Sequence, residues 1–469
     1  MTMNIKALLI LLLSVLTFSS CTTDIDDEIR ISSATEISDF VYRGLNFWSL
    51  YKGDVPALAN DAFASDGERR EFLEQFATPE DAFEALKSQR DRFSILRSDY
   101  IELENALAGI RTSTGMRFSI VEDPNSNNLF GVVRYVINNS PAATAGVERG
   151  MLFTAVDGVA LTDNSDLNAI FGADAYTINL ADYDGTNFTL NGNDIPLTQA
   201  QLNINPVHKV SVTEVQGKTI GYLHYTGFTN EFDTQLNEAF GTFKASGVTD
   251  LILDLRYNGG GSIETANDLC TMITGQFEGQ EFITQEYNED RNPDNEFTRR
   301  FNNNLGSGND GPAINSLNLN EVQVITTGNT ASASELILSG LRPYISINQI
   351  GTTTEGKFEG SFLLYDAPAP NFRRSDANLG HRYVMLPLVL KSINADGFTD
   401  YFNGIAPNTE ISENAFNLGV LGETSDPLTQ AAYDAILGRR SSIDLDFPRL
   451  NSAYESDEND LLYQRMIVD

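Results

Sequence analysis

The chain has 469 residues, 41% of them hydrophobic, with 28 Phe and 17 Tyr, enough apolar material for about two to four packed domains. It carries 31 Lys and Arg against 65 Asp and Glu, a net charge of −34. A surface that acidic repels phosphate backbones and argues against a nucleic-acid partner.

The first 20 residues hold one lysine, Lys6, then the apolar run "ALLILLLSVLTFSS" ending in small residues, which reads as a signal peptide rather than a spanning helix. Phe18-Ser19-Ser20-Cys21 resembles a bacterial lipobox, with Cys21 as the lipid-modified new N-terminus. The acidic "TTDIDDEIR" that follows is similar to the export tether of some Bacteroidetes lipoproteins. The expected location is therefore the envelope of a Gram-negative bacterium, lipid-anchored on the periplasmic or the outer face. The other cysteine, Cys270, lies in an apolar helical run and reads as a small core hydrophobe.

Residues 35 to 51 carry Ile37, Phe40, Val41, Leu45 and Trp48 at helical spacing. A second helical block is expected from about 71 to 110, with Pro79 at a helix start. The domain plan is thus 22–110 for a tether and helical region, then 111–200 for a small mixed β-rich domain in which Asn191-Gly192 signals a hairpin. From 201 to 440 strands and helices alternate: "TIGYLHYTGF", "EFDTQLNEAFGTFKASG", "DLILDLR", "GSIETANDLCTMITG", "EVQVITTG" and "ASELILSGLRPY". Such alternation predicts a largely parallel sheet covered by helices. The Asn/Gly-rich stretch 288–318 reads as a long loop or flap, and 441–469 as a loosely attached acidic tail.

None of the three histidines, His208, His224 and His381, has a second histidine or a cysteine at metal-ligand spacing, so no metal and no cofactor is expected. His224 reads as a packed core histidine. Without an obvious imidazole base, the candidate chemistry is elsewhere. Ser332 follows a buried strand and a short turn and opens a helix, and Lys357 lies twenty-five positions on, between glycines. A serine hydroxyl becomes a nucleophile only when a base takes its proton. Lysine can do so when burial or neighbouring charge lowers its pKa. The placement aims the N–H groups and the positive end of a helix at an oxyanion. Against this stands a plain alternative: Ser332-x-x-Glu335 is also a capping box, and Lys357, close to Glu355 and Glu359, could be a solvated charge in a turn. "LDLRYNGGGS" supplies the second element, three glycines after a strand, where Gly259 and Gly260 allow close backbone approach and could form one side of an oxyanion hole. A bland Gly-rich turn into a helix fits the same residues, and a phosphate cradle lacks the Walker lysine.

"DLRYNGGG", "TASASE" and the Gly-flanked lysine at +25, in that order, resemble the tail-specific or C-terminal processing proteases, peptidase family S41. The resemblance spans roughly 35 to 425. It includes "SPAATAGVERGMLFTAVDG", similar to the PDZ domain of that family, and "DRFSIL", similar to a segment preceding it. What it implies is an α/β fold, a ClpP/crotonase-like core with an inserted PDZ-like domain and an N-terminal helical region. It makes Ser332 the nucleophile, Lys357 the general base, and the amides of Ala333 with Gly259 or Gly260 the oxyanion hole. Gly115, Met116, Arg117 and Phe118 correspond to the loop that holds a peptide carboxylate. The partners implied are protein or peptide substrates, besides a membrane through the lipid anchor. Branches of the family place an Asp eleven residues after the serine or a Gln four after the lysine. Here those positions are Pro343 and Ser361, which leaves Ser361 as the candidate to orient Lys357. The PDZ segment's usual Gly-Asp is Gly150-Met151. A non-catalytic peptide-binding protein on the same fold is the rival reading. A crotonase-like acyl-CoA enzyme is a third, disfavoured by export and by the lack of a basic patch for nucleotide phosphates.

Overall fold

The computed structural model describes residues 30–306, 308, 311–439, 452–458 and 460–468; the signal-peptide reading and Cys21 lie outside them. The centre is a six-stranded sheet in the order Val207–Val215, Lys218–Tyr225, Asp250–Asp254, Glu321–Thr326, Ser346–Gly351 and Thr409–Glu410. The first pair is antiparallel and every later pairing is parallel. Parallel strands need covering on both faces, and the side-chain alternation supplies it. Leu251 and Leu253 turn to a layer holding Leu236, Phe240, Leu269 and Leu336 from three helices, Asp233–Ala245, Ile263–Ile273 and Ala333–Leu341. Ile252, Ile325 and Ile350 turn the other way, to Leu428 and Ala432 of the helix Pro427–Ile436. The α/β expectation for this region is met.

A second six-stranded sheet runs Gly261–Ser262, Met466–Ile467, Glu359–Ser361, Leu388–Asn394, Glu281–Tyr287, Phe297–Arg300. Against it sits the N-terminal helix Ala34–Trp48, whose Phe40, Val41, Leu45 and Trp48 pack with Phe83, Leu86, Met385 and Leu390. The capping box of Ser33 and Glu36 fixes where this helix starts. Residues 116–198 form a separate β-rich domain with its own core around Phe118, Phe153, Phe171 and Ile178.

Four expectations are corrected. The block 71–110 is not continuous helix: it holds Asp66–Leu73, Pro79–Leu86 and Tyr100–Leu107, with a strand Ile95–Arg97 between the last two. Asp91 accepts from the N–H of Ser94 at 2.8 Å and turns the chain, and the strand then pairs with Val384–Leu386, a partner about 290 residues away. Asn191-Gly192 is not a hairpin tip. Gly192 has φ +80° inside the strand Phe188–Thr198, where the register against Ala175–Tyr183 shifts, which is a bulge. The turn falls at 184–187, where Asp184 Oδ1 accepts from the N–H groups of Thr186 and Asn187. The stretch 288–318 is not wholly loop, since Phe297–Arg300 joins the second sheet. The tail is not loose among its described residues: Ser452–Glu455 and Met466–Ile467 are both strands in sheets. Net acidity alone suggested detachment, but Tyr454, Met466 and Ile467 are buried and outweigh it.

Candidate active site

The glycine loop leaves the end of the strand Asp250–Asp254 and is anchored before it begins. Arg256 is fully buried, its guanidinium on Asp254 at 2.8 Å, Asp426 at 2.8 Å and Glu413 at 2.9 Å. Asn258 then acts as a clip. Its Nδ2 donates to Tyr225 O at 3.0 Å, its Oδ1 accepts from Gly260 N–H at 2.9 Å, and its carbonyl accepts from Ala331 N–H at 3.1 Å and Ser334 Oγ at 2.9 Å. The loop bearing Ser332 is thereby stitched to the glycine loop. Gly260 has φ +106°, and a β-carbon there would lie 2.6 Å from Ser332 Cβ and 2.8 Å from its Oγ. No residue with a side chain fits between the serine and this loop.

Ser332 stands immediately before the helix Ala333–Leu341 with φ +65° and ψ −119°, a region that costs a non-glycine residue on the order of 1–3 kcal/mol. The Glu335 carboxylate closes back on the Ser332 N–H at 2.8 Å, as the capping reading expects. Ser332 Oγ itself is buried and makes no hydrogen bond among the described residues. Glu335 does more than cap. Its Oε2 also accepts from Lys357 N–H at 2.8 Å, and its Oε1 from Gly356 N–H at 2.7 Å and Thr354 Oγ1 at 2.5 Å. One carboxylate oxygen therefore holds the backbone nitrogens of Ser332 and Lys357 within two hydrogen bonds of each other. Burial pushes the Glu335 carboxyl up to about 7, against those four donors, which favour its ionised form.

Lys357 is fully buried, so the solvated-turn alternative does not describe it. Among the described residues its Nζ makes no hydrogen bond, and it lies 4.9 Å from the centre of the Phe93 ring. Burial, then the charge of Arg465, pushes its pKa well below the ordinary lysine value, while Glu359, Asp91 and Glu335 pull the other way from a distance. Glu359 accepts from Tyr51 OH at 2.6 Å, and burial raises its carboxyl. Ser361, two positions further along the strand Glu359–Ser361, is buried, and its Oγ makes no hydrogen bond among the described residues.

The site residues expected from sequence fall into two groups. Gly260 abuts Ser332, which Ala333 follows, and Glu335 ties the backbones of Ser332 and Lys357, while Ser361 lies in the second sheet opposite Leu388 and Ile467. Gly115, Met116, Arg117 and Phe118 stand apart at the start of the strand Met116–Glu122 in the β-rich domain, across a cavity of about 360 Å³ lined by Arg117 on one side and Gly259, Gly260 and Gly261 on the other. Met116 and Phe118 are buried in that domain's core, Arg117 is paired with Asp457 at 3.2 Å, and the Phe118 N–H donates to Ser456 Oγ at 3.0 Å. His224 is buried as expected, but its Nδ1 meets His208 Nδ1 at 2.8 Å. Among the described residues no group of three or more His, Cys, Asp or Glu side chains could hold a metal ion. Cys270 is buried, and burial pushes its thiol up.

Sequence reasoning missed several neighbours. Glu335 was legible only as a cap. Phe93 under the lysine and Arg92, which donates to Gly356 O at 2.8 Å, lie in "DRFSIL", a segment noted for its resemblance but given no role. Gln464 and Arg465 of the tail lie against Gly259 and Gly260, and no local pattern signals that.

The comparisons with known proteins agree with this architecture. Residues 219–364 match the family model of peptidase family S41, and residues 36–95 that of the peptidase S41 N-terminal domain. A carboxy-terminal-processing protease of Bartonella bacilliformis is 29% identical over 273 residues, 55% of this chain and 56% of that protein. The chloroplastic carboxyl-terminal-processing peptidase 2 of Arabidopsis thaliana is 26% identical over 280 residues, covering 55% and 52%. The chain thus matches about half the length of these curated relatives. A protein of Bacteroides fragilis solved as a candidate S41 protease superposes with a TM-score of 0.68 at 24% identity, over 85% of this chain and 97% of that one, which shows a shared fold.

Proposed function

This chain belongs to peptidase family S41, and from that premise we propose that it is a serine endopeptidase working through Ser332 and Lys357. The observation that carries the reading is the pair of buried polar groups without a hydrogen-bond partner among the described residues, Ser332 Oγ and Lys357 Nζ, on backbones tied to one oxygen of Glu335. A buried amine without a counter-ion gives up its proton readily, and a hydroxyl not engaged in any other hydrogen bond is available to lose one to a base that reaches it.

In the proposed mechanism neutral Lys357 takes the Ser332 proton as Oγ attacks a peptide carbonyl. The oxyanion forms where the Ala333 amide opens the helix and the glycine loop turns past the serine. The Gly260 N–H is already given to Asn258 Oδ1, so the donor on that loop is assigned to Gly259. Lys357 then passes the proton to the leaving amine, and water activated by the same amine releases the acyl-enzyme. Ser361 is assigned the orienting role toward Lys357. The β-rich domain, proposed as PDZ-like, would capture chain ends or apolar segments near Gly115–Phe118. Export and anchoring through Cys21 belong to the same proposal, as do the domain limits at about 110, 200 and 440.

The test is cleavage of an unfolded protein from pH 6 to 10 by the parent, Ser332→Ala and Lys357→Ala. Cleavage by the parent and silence from both variants supports the Ser-Lys reading. Cleavage that survives Ser332→Ala ends it. A parent that cuts nothing yet binds peptides identifies a binding protein on this fold.

A further inference from the structure

The groove of the β-rich domain is filled by the chain itself. Met116–Glu122 would be the edge of its sheet, an open template for another strand. Ser452–Glu455 pairs with it antiparallel, Ser452 opposite Val121 and Glu455 opposite Ser119. Ser456 extends the pairing, its N–H donating to Phe118 O at 3.0 Å while its Oγ accepts from Phe118 N–H at 3.0 Å. Tyr454 is the anchor. It is 7% exposed, with ring centroids 5.7 Å from Phe171 and 6.0 Å from Phe118.

The carboxylates beside that anchor meet three arginines. Glu455 pairs with Arg134 at 2.8 Å and accepts from Ser119 Oγ at 2.9 Å. Asp457 pairs with Arg134 at 2.6 Å and Arg117 at 3.2 Å, and Asp460 pairs with Arg111. Three arginines converging on one groove in a chain of net charge −34 form a local field of opposite sign, which selects for acidic ligands.

Past Asp460 the tail follows the cavity toward the glycine loop. Met466–Ile467 runs parallel to Gly261–Ser262 and beside Ser361. The position a Gly260 side chain would take is 2.8 Å from Arg465 O and 2.8 Å from Ser332 Oγ, so the tail backbone passes within one residue's width of the serine.

We propose that Arg111, Arg117 and Arg134, with the aromatic pocket of Phe118 and Phe171, bind extended peptides carrying an aromatic residue followed by carboxylates. Residues 452–458 are that ligand in cis, and residues 460–468 cover the serine, so a substrate of the same chemistry displaces the tail before it is cut. The covering of the serine rests on the peptidase reading; the chemistry of the groove does not.

A fluorescein-labelled peptide of residues 452–460 serves as the probe, with fluorescence anisotropy as the readout and full-length chain carrying Ser332→Ala as the receptor. A tethered ligand competes at an effective concentration on the order of millimolar. Adding Tyr454→Ala, Glu455→Gln and Asp457→Asn to the tail is expected to tighten probe binding at least tenfold. Asp457→Asn alone, which keeps Tyr454 in its pocket, is expected to give about threefold. A probe with its Glu455 and Asp457 positions amidated is expected to bind at least tenfold more weakly. Equal binding by parent and both tail variants overturns the cis ligand, and equal binding of acidic and amidated probes overturns the arginine selection. With Ser332 intact, the tail variants are expected to cleave an unfolded acidic protein at least fivefold faster. Cleavage indifferent to the tail overturns the covering, whereas groove binding as expected with no cleavage by any variant sinks only the peptidase reading.

Discussion

Two clusters of buried ionisable groups flank the ends of the parallel strands, and they follow opposite plans. Around Arg256 every charge is answered. Asp254, Glu413 and Asp426 face its guanidinium, Arg149 shares Glu413 at 2.9 Å, and the hydroxyls of Tyr222 and Tyr257 donate to Asp254 and Glu413 at 2.6 and 2.7 Å. Burial works against the Glu413 carboxyl, yet Arg256 and Arg149 hold it down to about 2. Around Lys357 no carboxylate comes within ion-pair distance among the described residues, and burial drives the amine toward neutrality. The same burial thus gives a permanent charge where it is paired and a proton acceptor where it is not. The first cluster fixes the glycine loop, and the second is assigned the chemistry.

The sharpest way to break this contrast is at the serine. Ser332→Ala and Lys357→Ala are each expected to lower kcat/KM on order of a thousandfold or more, the double variant losing little beyond either. Independent, multiplying losses in the progress curves would mean that the two do not act as a unit. Arg256→Met strands three buried carboxylates and is expected to destabilise the fold by about 3–5 kcal/mol; a urea midpoint unchanged from the parent's would show the paired cluster to be dispensable.

Glu335→Gln turns one of the two accepting oxygens into a donor facing N–H groups. The expected cost is about 2 kcal/mol, together with a fall in kcat at nearly constant KM. A change in KM alone would count against its role as a strap. In the parent, kcat is expected to rise with pH through the neutral range as Glu335 ionises near 7, and a flat profile from pH 6 to 9 contradicts that assignment; a rise confined to the ordinary lysine range would contradict the lowered pKa of Lys357.

The lysine also makes a linkage prediction. Its folded pKa lies below the unfolded value, so between the two the unfolded chain binds more protons. Its contribution to stability is full above the unfolded pKa and is lost as pH falls through the folded one. Lys357→Met is expected to raise stability at neutral pH by about 1 kcal/mol and to flatten that slope in thermal melts, an outcome opposite in sign to Arg256→Met. The smallest effect belongs to Ser361→Ala, expected to slow turnover about tenfold or less with an unchanged melting temperature.

The sequence by itself carried the alternation of strand and helix from Lys218 to Leu341, the helical stripe of Phe40 to Trp48, and the spacing of Ser332, Lys357 and the glycines. These are local periodicities and short motifs, each written in a few consecutive residues. It did not carry the break of the helical block at Ile95, whose strand partner is Leu386, nor Gly192 as a bulge, because an Asn-Gly pair reads alike in a turn and in a bent strand. Nor did it carry the burial of Lys357 between two glutamates, or the docking of an acidic tail. Whether a charge is solvated, paired or stranded depends on what long-range folding places around it, here Phe93 from one end of the chain and Arg465 from the other.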